Sequence, residues 1–282
     1  MRSFWNVFYR ALRRVFPGCV TQSQAVAFNM FLAFFPMLLV VLAVLSRSVG
    51  LRSAIIEMSA RLGRMMPPGT ESMVMQFLER QSHHPVRLLL VGIGGTLLAG
   101  TQAMRLTVEG FSMAHRDEDR NSLWELNARS LFLLLATVIP FLLTVVLTVF
   151  GKQVRAWMIL RFGMPVLIRV MWFGLYITAG LTLLMLVLAV IYRVGRAGPH
   201  TVRDSLPGAA VATLLWWGVN GALGLYMRHM PYSLIYGGLA GAIGLMIWMQ
   251  LTAMIVFLGA AFNAEYGAQK QSLAADMLPA EE

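Results

Sequence analysis

Charge falls along this chain in bursts, and between the bursts lie six stretches without a single Asp, Glu, Lys or Arg: 25–45, 88–104, 130–151, 170–192, 205–227 and 230–264. A bilayer core is about 30 Å thick and is crossed by about 20 mostly apolar helical residues. One such run fits a buried core helix; six of them in 282 residues do not. The pattern predicts an all-α, polytopic membrane protein with six transmembrane helices, at about 25–45, 88–108, 130–151, 170–192, 205–227 and 236–264. The sixth charge-free run is longer than one crossing needs. Its beginning, through Tyr232 and Tyr236, reads as an interfacial loop with tyrosine anchors.

The flanking segments follow different patterns. Residues 1–24 form a basic arm in which Phe4, Trp5, Phe8, Leu12, Val15 and Phe16 recur near helical spacing between arginines. This predicts an amphipathic helix lying on the membrane, ended by Pro17 and Gly18. In 46–87, Leu51, Ile55, Met58 and Leu62, then Met73 and Phe77, suggest two short amphipathic helices on either side of Pro67 and Pro68. They form either a lid on the outer face or connecting structure. The membrane domain runs over 25–266, and the polar tail, 267–282, reads as disordered. Pro36 and Pro140 fall inside spans, where each removes a helix hydrogen bond and predicts a kink. Asp204 or Ser205 is expected to cap the fifth span, with Pro207 in its first turn.

Composition strengthens this picture. Hydrophobic residues make up 58% of the chain and charged ones 13%, against about 25% charged in soluble domains. Mean hydropathy is +0.67. The net charge of +10 would suggest nucleic acid in a soluble protein. Here it predicts basic residues flanking spans and meeting anionic head groups, with membrane lipids and not nucleic acid as partners. The one cysteine, Cys19, excludes an internal disulfide and a thiolate cluster. Arg2, Arg10, Arg13 and Arg14, with no acid nearby, place the N-terminus in the cytoplasm by the positive-inside rule, and six spans return the C-terminus there. The remaining loops do not add to this, since the two sides carry eleven Lys and Arg each.

No constellation for catalysis stands out. The histidines are scattered at 83, 84, 115, 200 and 229, and no nucleophile elbow, P-loop or zinc-protease motif is present. No metal, cofactor or catalytic residue is predicted, and the chain does not read as an enzyme. Polar residues inside spans say more, because lipid penalises them unless they find partners. These are Asn29, Gln102, Asn220, Gln250 and Asn263. They either line a polar path or act as hydrogen-bond glue between helices, worth about 0.6 kcal/mol each. Arg105 and Glu109, spaced i,i+4, can pair along one helix face. If that helix continues through Phe111, the pair becomes a candidate head-group or gating element. Stripes of small residues, Gly92, Thr96 and Gly100, and Gly237 and Gly241, are accounted for by close helix packing.

In the C-terminal half, Val202-Arg-Asp-Ser-Leu-Pro-Gly-Ala is followed by Tyr232-Ser-Leu-Ile-Tyr-Gly-Gly-Leu-Ala-Gly, Gly244-Leu-Met-Ile-Trp and Gly259-Ala-Ala-Phe-Asn-Ala. With the first span and Met66-Pro67-Pro68, this ordered set resembles the YihY/BrkB family of bacterial inner-membrane proteins over about 20–270. The resemblance implies six spans in a bacterial inner membrane. It also implies a transport theme without a defined substrate; a ribonuclease label once attached to the family is widely regarded as a misassignment. Two positions depart from the family: Ala261 stands where an acid is common, and Asn29 where an aromatic is. Coupling through that acid is therefore in doubt for this chain.

Two readings remain open. In the first, the protein transports or flips an amphipathic, lipid-like substrate along a path including Asn29, Gln102, Arg105, Glu109, Asn220, Tyr236, Gln250 and Asn263. In the second, it is a non-transporting scaffold for envelope assembly, as a homo-oligomer or with an envelope protein partner.

Overall fold

Apolar runs of this length close their backbone hydrogen bonds within the helix, the form that lipid imposes on a single crossing segment. The computed structural model describes residues 2–16, 18–45, 85–115, 123–163, 165–196, 201–229 and 239–276. These form α1 (Arg2–Val15), α2 (Gly18–Leu45), α3 (Pro85–His115), α4 (Leu123–Phe162), α5 (Pro165–Gly195), α6 (Val202–His229) and α7 (Leu239–Asp276). Among the described residues there is no strand, and α2 to α7 are each long and apolar enough to cross a membrane. The outer segment at 46–84, and Tyr236 with the loop before α7, lie outside the described residues.

Helix ends differ from span ends in a consistent direction. The sequence places the third span at 130–151, yet α4 has 40 residues, about 60 Å of helix. Arg129, Lys152 and Arg155 end the apolar run but are good helix formers, so charge marks the edge of lipid and not of the helix. For the same reason α7 runs to Asp276, through the segment expected to be disordered. Its residues 268–276 are mostly Ala, Gln, Lys and Leu. At the other end α2 takes in residues 18–24 from the expected arm. Pro36 and Pro140 sit inside unbroken α2 and α4.

Where helices do stop, the local chemistry is visible. Gly163 adopts φ of +63° and its N–H donates to the Ile159 carbonyl at 3.0 Å. This is the left-handed cap that glycine accepts without a Cβ penalty, and Pro165 then opens α5. At the start of α6 the cap is Thr201, one turn before the expected Asp204 or Ser205. Thr201 N–H and Oγ1–H both donate to Asp204 Oδ2, at 3.2 and 2.7 Å, while Asp204 N–H donates to the Thr201 carbonyl. A Thr followed three residues later by an acid is a capping box in miniature.

The helices divide into two compact units. The first comprises Met1–Gln22, Met104–Gly218 and Met254–Glu282. Its core is an aromatic cluster: Phe111 meets Tyr192 at 5.6 Å and Phe257 at 6.0 Å, both edge-on. Small neighbours make room for these rings, with Gly195 against Phe111 and Gly110 against Phe257. Helix α1 belongs to this unit. Val7, Ala11 and Val15 are buried, and Arg14 Nη1 donates to Glu265 Oε1 of α7 at 2.7 Å.

The second unit comprises Ser23–Ala103 and Val219–Ala253. Here the Pro36 ring of α2 lies where a side chain on Gly95 of α3 would be, and Val40 lies against Gly92. The small residues of α3 thus form a notch for a proline-bearing helix, as packing in lipid favours. Trp248 Nε1–H donates to Asn220 Oδ1 at 2.8 Å, linking α7 to α6. Trp248→Phe is expected to cost about 0.6 kcal/mol, the mean for hydrogen bonds between membrane helices. A slightly lower unfolding midpoint in detergent, with unchanged yield, would register it.

Candidate functional site

The polar groups of the first unit gather where α5 ends and α6 begins. Tyr192 and Arg196 stand one turn apart at the end of α5. Asp204 and Ser205 come from the first turn of α6, Phe111 from α3, and Ala260 and Asn263 from α7. Together these seven residues line a cavity of about 10 Å³, room for about one water.

Asn263 holds the floor of this cavity. It is 6% exposed. Its Oδ1 accepts from the Gly208 N–H at 2.6 Å and its Nδ2–H donates to the Ser205 carbonyl at 3.1 Å. One amide thereby binds the backbone of α6 on both its donor and its acceptor sides. The helices come close enough for this because Gly208 faces Gly259, with the backbone of each where the other's side chain would stand. Tyr192 completes the junction, its O–H donating to the Val256 carbonyl at 2.9 Å. Arg196 differs from these spent groups: its Nε is buried and makes no hydrogen bond among the described residues. A buried N–H of a charged group left unpaired is costly; Arg14 Nε and Thr213 Oγ1 are also buried without a hydrogen bond among the described residues.

The chain-wide pattern of these residues matches a family model described as virulence factor BrkB over residues 17–280. The chain belongs to the BrkB family. Among its relatives, the Bacillus subtilis (strain 168) protein named putative ribonuclease-like protein YfkH is 27% identical over 86% of this chain and 88% of that one. A UPF0761 membrane protein of Tolumonas auensis is 28% identical over 54% of this chain and 51% of its own length. UPF0761 membrane protein azo3165 of Azoarcus sp. is 26% identical over 87% of this chain and 59% of its own. The match thus spans only about half to three fifths of the last two relatives. No solved structure matches the chain. The ribonuclease-like name belongs to the Bacillus protein. Among the described residues, no three His, Cys, Asp or Glu side chains gather into a group able to hold a metal.

Of the candidate residues read from the sequence, only Asn263 lines this cavity. Arg105 Nε–H donates to Glu109 Oε1 at 3.1 Å, each side chain about one third exposed. Helix α3 does continue through Phe111, which is 1% exposed. In the second unit, Asn29 Nδ2–H donates to the Ala25 carbonyl of its own helix and Gln102 is exposed. Asn220 accepts from Trp248, and Gln250 is half-buried. Each amide on this list except Asn263 therefore belongs to a different unit from the cavity. Sequence reading missed Tyr192 and Arg196, and named Asp204 and Ser205 only as possible caps. Two signals were present: the i,i+4 pair Tyr192 and Arg196, and the Thr201-to-Asp204 spacing that fixes the first turn of α6. Ala261 is fully buried and contributes no polar group.

Proposed function

We propose that this BrkB-family chain transports or flips an amphipathic, anionic, lipid-like substrate across a bacterial inner membrane, with both termini in the cytoplasm, and that it is not an enzyme. One observation carries the reading: the buried Nε of Arg196, without a hydrogen bond among the described residues, beside the first turn of α6. A guanidinium favours an anionic group; the start of α6 adds little, because the Asp204 carboxylate lines the same cavity and already accepts from Thr201 there. A charged residue kept at the end of a membrane helix without a full set of partners is a functional candidate by default. Room for one water does not admit a phosphodiester. Entry of a head group therefore requires the ends of α5 and α6 to separate from α7, and Asn263 is the tie that must loosen.

The test is translocation by the purified protein in liposomes carrying fluorescent phosphatidylglycerol, phosphatidylcholine or a lipid-linked glycan. An anionic lipid is expected to cross. Arg196→Gln is expected to slow it about tenfold or more, the worth of one charge-assisted hydrogen bond, and Arg196→Lys to restore part of the rate. No translocation across the panel would defeat the reading.

A second reading, a non-transporting scaffold, is favoured by a different observation: Gly208, Gly259, Asn263 and Tyr192 are all engaged in joining helices. It expects Arg196→Gln to leave function in cells intact.

A further inference from the structure

The N-terminal helix carries two apolar faces, not one. Val7, Ala11 and Val15 are 4%, 0% and 4% exposed and dock α1 on the first unit. Trp5, Tyr9, Leu12 and Phe16 are 67%, 60%, 39% and 53% exposed. At 3.6 residues per turn these four fall within about 60° of one another, well away from the docked face. Arg13 and Arg10, both exposed, occupy the strip that follows on from this stripe. The Arg13 guanidinium lies 6.0 Å from the centre of the Tyr9 ring. Arg14 comes last, at the margin of the docked face, where Glu265 holds it.

Connectivity fixes where this helix sits. Helix α1 ends at Val15, and α2 begins at Gly18, ahead of the charge-free run that starts at residue 25. Its last turn is therefore joined by a two-residue link to the start of a helix long and apolar enough to cross the membrane. The docked face and the Arg14–Glu265 ion pair keep α1 from swinging free. A stripe of Trp, Tyr, Leu and Phe held at that level suits the head-group layer, where amphipathic rings settle. Beside it stand two guanidiniums on a helix without an acid of its own, since the one nearby carboxylate described, Glu265, is already taken by Arg14.

We infer that the outer stripe of α1 is a fixed binding surface for anionic phospholipid of the bilayer, with Trp5, Tyr9, Leu12 and Phe16 entering the head-group boundary and Arg10 and Arg13 pairing with the lipid phosphates. The inference is independent of any transported substrate. The docked face makes it specific: an ordinary interfacial helix would spend all its apolar residues on lipid, whereas this one divides them between protein and lipid.

The experiment uses the full chain with Cys19→Ala and Leu12→Cys, labelled with bimane. It is placed in nanodiscs of equal phosphatidylcholine and phosphatidylglycerol, with bromine on the chains of one lipid or of the other. Brominated lipid quenches bimane only on contact. Brominated phosphatidylglycerol is expected to quench more strongly, corresponding to local enrichment of about fivefold per arginine. Arg10→Gln with Arg13→Gln should equalise the two lipids while quenching persists. A second label at Phe173→Cys, on the exposed surface of α5, should be unaffected by those substitutions and confirms that the variant is folded. Absence of quenching by either lipid overturns the inference, because the stripe is then not in the membrane. Preference that survives loss of both arginines also overturns it, because the charge reading is then wrong.

Discussion

Gly208→Leu will abolish recovery of folded protein, while Gly221→Leu on the same helix will leave it unchanged. The two glycines are thirteen residues apart and differ in what surrounds them. A Cβ on Gly208 would meet the backbone carbonyl of Gly259 and the Asn263 amide, at 2.5 Å for the atoms of the latter. A Cβ on Gly221 would meet nothing within 4 Å from other elements among the described residues. Overpacking a core by methylenes costs about 1–3 kcal/mol when side chains can shift. Here the obstacle is backbone, so α6 and α7 would have to part along their length. Parting them also breaks both Asn263 hydrogen bonds and moves Tyr192, whose hydroxyl lies over Gly259. Losses of that size compare with the whole stability of a domain, about 5–15 kcal/mol. At Gly221 the same substitution gains up to about 0.8 kcal/mol of helix propensity. Size-exclusion profiles of the two variants in detergent, read beside wild type, decide the matter. A monodisperse Gly208→Leu peak at wild-type yield would show that the crossing is not close.

The contrast between these glycines also bears on what the sequence could reveal. Six spans are legible because lipid acts on each segment separately, and a run such as 170–192 declares itself without knowledge of its neighbours. Helix ends are less legible. Arg129 and Lys152 carry charge, which lipid rejects, on side chains that a helix accepts, so α4 passes through both. The arm shows the same limit. Its amphipathic spacing was readable, but the large residues Trp5, Leu12 and Phe16 drew attention to the exposed stripe. The small residues Val7 and Ala11, which dock on protein, carry little weight in any hydrophobic pattern.

The cavity was hardest to see because it is built across long separations. Tyr192 lies 64 residues from the carbonyl it meets, and Asn263 lies 55 from Gly208. Arg196 counted in the sequence only as one more loop charge. Nothing local separates it from Arg193, which is exposed; the buried Nε belongs to a residue that shares its cavity with residues of α3, α6 and α7, far away in sequence. Asn263 was legible as a polar residue in an apolar span, but its choice between path and glue was not. In the structure it holds helices together at the edge of a cavity.

Asn263→Leu will loosen this junction by roughly 1–4 kcal/mol, the second-largest effect expected. The lower figure takes two interhelical hydrogen bonds at the membrane average of about 0.6 kcal/mol. The upper figure takes full loss for two buried groups, since unpaired ones cost about 1–3 kcal/mol each. Leucine matches asparagine in heavy-atom count, but its methyls need van der Waals spacing where the amide stands 2.6 Å from the Gly208 nitrogen, so crowding adds to the lost bonds. Asn263→Asp separates the two bonds. Its carboxylate still accepts from the Gly208 N–H, but an oxygen now faces the Ser205 carbonyl where an N–H stood. If both bonds matter, Asn263→Asp should fall below wild type despite keeping one of them, and Asn263→Gln should not restore it, because the added methylene moves the amide away from Gly208. Thermal unfolding of the purified variants in detergent gives the order. Should Asn263→Leu unfold at the wild-type temperature, the amide contributes nothing to stability and the path reading regains it. Should it unfold early but translocate lipid faster than wild type, the same amide is the tie whose release opens the mouth beside Arg196.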